Sequence, residues 1–339
     1  MKMTKITHKC ETNPYLTMYH NVAFPLSIIQ GNANVDITPW ICGRYINCRY
    51  DENSYDNQFN VCIDDEWGIM EGALTVQSVS VSQELIKHLS LNYIDFLKSM
   101  IDQNCYPQGE YNEEYIPGKW AYKNTQYKHD FLLTGYNEIE KIFYSIGYLK
   151  DNNYCKYDIP YANMEKSLKS LVNNNLNFLF FKFNENFDFS LLSISKIYNE
   201  LFEYVNSFTT HLKNCNNQYF GLNAIKKLKE HIVEESNNEK IDFRFTKGFF
   251  EHKKIMNLRV EYLCSVGLIS SDTVCTSKAV LRKSELVHLL ALKYIITKDG
   301  TLINRICNYI EDTITMEKVY LPTLMYSLKK AFSEEKNER

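Results

Sequence analysis

The chain has 339 residues, of which 45% are hydrophobic, and its formal net charge at pH 7 is -3. This length suffices for two ordinary domains, and the hydrophobic content allows each of them a core. The small net charge gives no strong attraction to nucleic acid or to an anionic membrane, so we expect neither partner. The sequence has no apolar run of the ~20 residues that a membrane-spanning helix needs. Its N-terminus lacks the apolar segment of a signal peptide, so a cytoplasmic location is expected.

The ten cysteines are scattered along the chain, and no two of them form a C-x-x-C pair. Zinc sites and thioredoxin-type redox sites commonly use that spacing, so neither is favoured. In a reducing compartment most free cysteines are small buried hydrophobic residues. We therefore expect no metal and no cofactor bound by these residues, and a functional role for any one cysteine needs a separate argument.

The first predicted element is a helix over residues 14–29, where apolar residues recur at helical spacing. Pro14 is tolerated in the first turn of a helix, which places the predicted start within a few residues of Cys10. Pro25 predicts a kink or a break in this helix. A second helix is predicted over residues 82–101, with Ser82 as its N-cap.

The pattern then changes to short runs rich in β-branched and aromatic residues. The predicted strands cover residues 111–116, 128–135, 142–148 and 178–183. A short helix is predicted between the last two strands, over residues 161–171. The first part of the chain is therefore predicted to be an α+β domain, residues 1–190.

Beyond Ser190 the sequence predicts helices only. Their predicted ranges are 191–208, 221–233, 247–266, 284–296 and 301–331. We therefore expect a C-terminal helical domain, residues 191–339, although no linker rich in proline or glycine marks its start.

Two residues far apart in the sequence suggest a chemical site. Cys10 precedes the first predicted helix, and His129 opens a predicted strand. A helix N-terminus lowers the pKa of a thiol, and an imidazole can take its proton, so such a pair makes a nucleophile. In this interpretation Cys10 forms an acyl-thioester, and His129 serves as general base and then as general acid. The alternative is a cysteine and a histidine without a catalytic role.

The segments around both residues carry a resemblance to a known family. Residues 8–13 (HKCETN), residues 129–137 (HDFLLTGYN) and residues 142–146 (IFYSI) resemble the acyltransferases of the butirosin-biosynthesis type, and residues 219–228 resemble the family's helical region. The chain is also similar to the protease-like amide synthase of closthioamide (polythioamide) assembly. The chain order, cysteine before a helix and histidine opening a later strand, is that of papain-like enzymes, and the family is related to C39 peptidases.

The resemblance implies a papain-like cysteine protease fold with a C-terminal helical domain. It also implies transfer of an acyl or peptidyl group from a carrier-protein thioester to a small amine acceptor. The acyl group would be presented on the phosphopantetheine of an acyl or peptidyl carrier protein, with no other cofactor. The setting implied is nonribosomal biosynthesis of a secondary metabolite such as an antibiotic.

The third member of the expected triad departs from the family pattern. Family members usually carry an aspartate a little under twenty residues after the histidine, and here residues 144–148 contain no acid. Asp151, just beyond, is the predicted orienting residue if the hairpin is shifted or bulged. Asp130 is next to His129, so on a strand it would point to the opposite face. A Cys10–His129 dyad without a third member is the remaining possibility.

Two further groups of residues leave open interpretations. Lys253, Lys254 and Arg259 make a charged helix face, which is either ordinary solvated surface or a contact for an acidic carrier protein. An aromatic cluster just before His129 is either core packing or the wall of a substrate pocket, and its members are Tyr111, Tyr115, Trp120, Tyr122 and Tyr127.

The leading hypothesis is a cytoplasmic papain-like acyltransferase that forms an amide. One alternative is a hydrolase, either a peptidase or a thioesterase, which would use the same residues with water as acceptor. A second alternative is a non-catalytic module that binds a carrier protein or a peptide and has lost the triad. The missing acid near Gly147 supports this second alternative.

Overall fold

The computed structural model describes residues 4–54, 58–61, 72–88, 90, 92–171, 175–212, 216–237 and 241–337. Within these residues the protein is a mixed α and β structure with an antiparallel sheet and a helical C-terminal region. The strands are β1 (Lys5–Thr7), β2 (Arg49–Asp51), β3 (Phe59–Asn60), β4 (Leu74–Val81), β5 (Tyr106–Asn112), β6 (Lys128–Asn137), β7 (Ile142–Tyr148), β8 (Tyr154–Pro160), β9 (Leu176–Phe183) and β10 (Gln218–Phe220). The helices are α1 (His20–Asn32), α2 (Thr38–Cys42), α3 (Gln83–His88), α4 (Tyr93–Asp102), α5 (Tyr161–Ser170), α6 (Ile194–Asn206), α7 (Gly221–Asn237), α8 (Phe243–Ser265), α9 (Ser271–Thr297) and α10 (Thr301–Asn337). None of the helices in the described part of the chain is long and apolar enough to cross a membrane.

The chain divides into two compact units. The first contains residues 1–34 and 70–187, and the second contains residues 35–69 and 188–339. The predicted boundary between residues 190 and 191 lies close to the last crossing between the units, between residues 187 and 188. The sequence-based division differs in one respect: residues 35–69 fall in the second unit rather than the first.

The first unit is built on an antiparallel sheet with the strand order β4-β9-β5-β6-β7-β8, and β1 pairs with β6. Helices α4 and α5 supply side chains to the core of this unit, among them Leu97 and Ile101 from α4 and Met164 from α5. Leu97 and Ile101 are four residues apart and therefore share one face of their helix. Burying a side chain of this size contributes about 1.5–3 kcal/mol.

Helix α1 begins later than the sequence predicts. Its first residue is His20, after Tyr19, which has an extended backbone with φ -135° and ψ 148°. Pro25 lies inside this helix without ending it, so the predicted break does not occur there. Most of the helix is buried, from Val22 to Ile29, and this packing offsets the hydrogen bond that a proline cannot donate.

The helix predicted over residues 82–101 consists of two helices, α3 and α4. Ser82 caps the first one, because its hydroxyl accepts a hydrogen bond from the Leu85 amide at 3.1 Å. Asn92 caps the second one by accepting hydrogen bonds from the amides of Ile94 and Asp95. Between them, Ser90 has a φ of +50°, a conformation that ends a helix.

In the second unit, basic residues of α8 bind the backbone of the segment after α2. Arg259 is fully buried and donates hydrogen bonds to the carbonyls of Cys42 at 2.7 Å and Arg44 at 2.6 Å. The Nε2 atom of His252 bonds the carbonyl of Ile46 at 2.8 Å. These bonds join residues 42–46 to α8, more than 200 positions later in the sequence.

The charged helix face proposed from the sequence is wrong, because Lys253 and Arg259 are both buried in the second unit. The ammonium of Lys253 lies 2.7 Å from each carboxylate oxygen of Glu317 on α10. The Tyr204 hydroxyl on α6 accepts from Lys253 at 2.6 Å and donates to Glu317 at 2.6 Å. The pair connects three helices and does not form a surface for a carrier protein.

Candidate active site at the start of strand β6

His129 is the second residue of β6, and the end of β5 places a carboxylate beside it. Tyr111 on β5 pairs with His129, and Glu113 follows directly after the end of that strand. The Asn112 side chain fixes the turn, since its oxygen accepts bonds from the amides of Glu114 at 3.1 Å and Tyr127 at 3.2 Å. A backbone bond of 2.8 Å from the Glu113 amide to the Tyr127 carbonyl closes the turn. The local hydrogen bonds therefore hold Glu113 next to His129.

The imidazole of His129 is oriented by Glu113. Its Nδ1 atom lies 2.7 Å from a carboxylate oxygen of Glu113. The Glu113 side chain is 5% exposed, whereas that of His129 is 33% exposed. Because a carboxylate accepts, Nδ1 carries the proton and the lone pair is on Nε2. This arrangement gives a partly exposed base that can take a proton from a reactant.

A second imidazole lies against the ring of His129. His20, the first residue of α1, has its ring centroid 4.7 Å from that of His129, at an interplanar angle of 39°. His20 also stacks on Phe24, with centroids 4.4 Å apart and an angle of 11°. Burial lowers the pKa of His20 well below its ordinary value, and His129, when it is protonated, and Lys119 lower it further. His20 is therefore a neutral imidazole near pH 7.

Gly147 on β7 lies beside two side-chain nitrogen atoms, neither so close that a Cβ would be excluded. A Cβ at this position would lie 3.6 Å from Nε2 of His20 and 3.7 Å from Nζ of Lys119. Its φ of +154° is a conformation that favours glycine. The Lys119 ammonium donates to the carbonyl of Tyr148 and lies 4.3 Å from the ring centroid of Tyr157. The position where the sequence lacks an acid is therefore next to a buried cation.

Cys10 lies near the other end of α1. The amide of the next residue, Glu11, donates to the carbonyl of Ser27 at 2.9 Å, and the Cys10 thiol bonds the Ser27 side chain. A Cβ on Gly31 would be 2.7 Å from the Cα of Cys10. Ser27 comes seven residues after His20, which corresponds to about 10 Å along a helix axis. The structure therefore does not bring Cys10 and His129 together as a hydrogen-bonded couple.

Burial also makes Cys10 a poor nucleophile. It raises the pKa of the thiol to about 12, although Lys156 and the bond to Ser27 act in the opposite direction. The sequence placed Cys10 at a helix N-terminus, where its pKa would fall. In the structure α1 begins ten residues later, so the thiol does not have that environment.

Asp151 is not the residue that orients His129. Its carboxylate accepts from the backbone amide of Asn153 at 3.2 Å and from the side-chain amide of Asn153 at 2.7 Å. The backbone bond is the main cause of its lowered pKa, and the residue is exposed. Glu113 has the role that was predicted for Asp151. It precedes His129 in the sequence, whereas the family pattern places the acid after the histidine. Its position directly after the strand that pairs with β6 is the signal that could have identified it.

The aromatic cluster before His129 is divided between core and surface. Tyr111 is fully buried, with its ring stacked on Phe131 at 5.4 Å. Trp120 and Tyr127 are 65% and 46% exposed and meet edge to face at 6.0 Å. The ring of Tyr127 is also 5.5 Å from that of His129. The core interpretation therefore holds for Tyr111, whereas Tyr127 and Trp120 are exposed, and Tyr127 lies beside the imidazole.

No protein-family model matches the chain, and no curated protein matches it.

Proposed function

We propose that the chain is an amide-forming acyltransferase in which His129, oriented by Glu113, is the general base. The observation that carries the proposal is the 2.7 Å bond between Nδ1 of His129 and the buried carboxylate of Glu113. This bond fixes the tautomer with a free Nε2, and a third of the His129 side chain is exposed to a reactant. The resemblance of residues 129–137 and 142–146 to acyltransferases supports the reaction class.

The proposed reaction differs from that of a papain-like enzyme because no acyl-cysteine forms. The acceptor amine attacks the thioester carbonyl directly, and its C–N bond forms as a proton passes from the nitrogen to Nε2 of His129. The C–S bond then breaks, and the imidazolium returns the proton to the departing thiolate. Aminolysis of a thioester is downhill, so the reaction balances without ATP or another co-reactant.

The proposed donor is a thioester on the phosphopantetheine of an acyl or peptidyl carrier protein, and the proposed acceptor is a small amine. The exposed rings of Trp120 and Tyr127 provide an apolar surface beside the base for the acyl chain. The proposed compartment is the cytoplasm, which fits the free state of the described cysteines.

A non-catalytic carrier-binding module is the second candidate. The position of Cys10 near the last turns of α1 and its raised pKa favour this candidate over a thiol enzyme. This candidate does not explain the hydrogen bond between His129 and Glu113, because a binding module needs no fixed imidazole tautomer.

The test is formation of amide from acyl N-acetylcysteamine thioesters and a panel of primary amines, followed by mass spectrometry. The wild-type protein is expected to give amide, and His129→Gln is expected to lower the rate by about 10²- to 10⁴-fold, the usual contribution of a general base. His88→Gln, which changes an exposed histidine of α3, is the matched control and should keep the wild-type rate.

Two outcomes would overturn the proposal. Free acid as the sole product at saturating amine would identify a hydrolase instead. Absence of any turnover by the wild-type protein, together with binding of an acylated carrier protein, would identify the binding module.

A further inference from the structure

The buried ring of His20 has no assigned part in the proton transfer, although it contacts the proposed base directly. We infer that His20 is a positioning residue whose ring holds the imidazole of His129 with Nδ1 towards Glu113 and Nε2 free. The inference rests on the proposed function for the role of His129, but the orientation of that ring can be measured without a substrate.

The geometry restrains His129 on several sides. Glu113 binds Nδ1, the His20 ring lies 4.7 Å away, and the Tyr127 ring lies 5.5 Å away. His20 is itself immobilised, because Phe24 stacks on its ring at 4.4 Å and its side chain is 6% exposed. The ring of His20, which is fixed on a buried helix, therefore limits the movement of the His129 ring.

The two imidazoles contact each other ring to ring and not through a hydrogen bond. Within the described residues, Nε2 of His20 has no hydrogen-bond partner, and its Nδ1 lies 4.0 Å from a carboxylate oxygen of Asp130. An unpartnered buried nitrogen is unfavourable for stability, so hydrogen bonding does not explain this imidazole. A phenyl ring should then be able to replace it as a support, whereas a methyl group should not.

The support must also be uncharged. The groups that face His20 are His129 and Asp130 on β6, Lys119 on the turn before β6, Tyr148 on β7 and Phe24 on its own helix. The N-terminus of α1 adds the positive end of the helix dipole. Burial is the largest effect against a proton on His20, and Lys119 and the dipole add to it and outweigh the nearby Asp130 carboxylate. His20 therefore does not repel His129 when His129 holds the transferred proton.

The test uses protein labelled with ¹⁵N at histidine and observes the proton on Nδ1 of His129, assigned by its loss in His129→Gln. This Nδ1 proton is hydrogen-bonded to the buried carboxylate of Glu113, so it is expected to exchange slowly with water and give a resolved signal. The signal should persist in His20→Phe and disappear through exchange with water in His20→Ala. In the amide-forming assay, His20→Ala should lower kcat at least about tenfold with KM changed less than about threefold, and His20→Phe should restore kcat.

Met164→Ala is the control for lost core packing, because Met164 is fully buried on α5 in the same unit. This control should keep the signal while lowering thermal stability. An unchanged signal in folded His20→Ala would overturn the inference. If His20→Ala does not fold, loss of the signal in folded His20→Phe would overturn it equally. Because the signal requires no substrate, a failure of amide formation alone would count against the proposed function and not against the positioning role.

Discussion

At the scale of single residues, burial decides which group can react. The Cys10 thiol, with a pKa of about 12, would be thiolate in roughly one molecule in 10⁴ at pH 8. The His129 imidazole has a fixed tautomer and an exposed edge. The sequence identified His129 through its strand. It could not reveal that Cys10 packs near the end of α1, since that depends on tertiary contacts with Ser27 and Gly31.

The raised pKa of Cys10 predicts slow alkylation of the native protein. With isotope-coded iodoacetamide at pH 8, Cys10 should react at least about 10²-fold more slowly than exposed Cys275, because both the thiolate and access to it are scarce. Peptide mapping by mass spectrometry gives both rates in one sample, and denatured protein should label the two cysteines at similar rates. Alkylation of native Cys10 faster than Cys275 would restore the nucleophile interpretation.

At the scale of elements, the sequence predicted three strands of the sheet closely and misplaced a fourth. Strand β7 has the predicted bounds, and β6 and β9 each extend two residues beyond theirs at one end. The strand predicted over residues 111–116 overlaps β5 only at residues 111 and 112, because β5 ends at Asn112 where the turn to Glu113 begins. Three strands of this sheet, β1, β4 and β8, had no prediction, and of these β4 and β8 are the two ends of the strand order. Their exposed polar residues alternate with apolar ones, as in Leu74–Val81, so they lack the continuous apolar run of a central strand.

The starts of the helices depended on caps as well as on periodicity. Ser82 was identified as a cap from its type and position, and the structure confirms it. Asn92 also caps a helix. The apolar periodicity continues across it from α3 into α4, so periodicity alone predicts one helix instead of two. The start of α1 could not be predicted because Tyr19 provides no side-chain cap.

Replacing Lys253, whose buried ammonium pairs with Glu317, is expected to cause a large loss of stability. A second substitution at Glu317 should recover part of that loss. Both side chains are 0% exposed, so Lys253→Met leaves an uncompensated carboxylate and should lower the free energy of unfolding by about 3–5 kcal/mol. The double variant Lys253→Met with Glu317→Gln should recover at least about 1 kcal/mol, since the neutral amide can still accept from Tyr204. Denaturant unfolding measures both values.

The exposed pair of Lys283 and Asp312 is the matched control. Its charged groups are also 2.7 Å apart, but the side chains are 28% and 53% exposed. Lys283→Met should therefore cost only about 0–1 kcal/mol. Equal losses from the two lysine substitutions would show that the buried pair is not the cause.

At the scale of the whole molecule, composition predicted two units but not how the chain is shared between them. The change from strands to helices near residue 190 lies close to a division of the structure. The membership of residues 35–69 in the second unit depends on contacts such as that between Arg259 and the Cys42 carbonyl, 217 positions apart. Local patterns carry no information at that separation, so this part of the organisation could not be predicted.

The central claim is that the pair of His129 and Glu113, and not the Cys10 thiol, performs the chemistry. The most direct measurement compares amide formation by Cys10→Ala and by Glu113→Gln under one set of conditions. Cys10→Ala should keep the rate within about threefold of wild type. Glu113→Gln should lower it by about 10²- to 10⁴-fold, because the imidazole then loses the carboxylate that fixes its tautomer. An inactive Cys10→Ala beside a fully active Glu113→Gln would contradict the account.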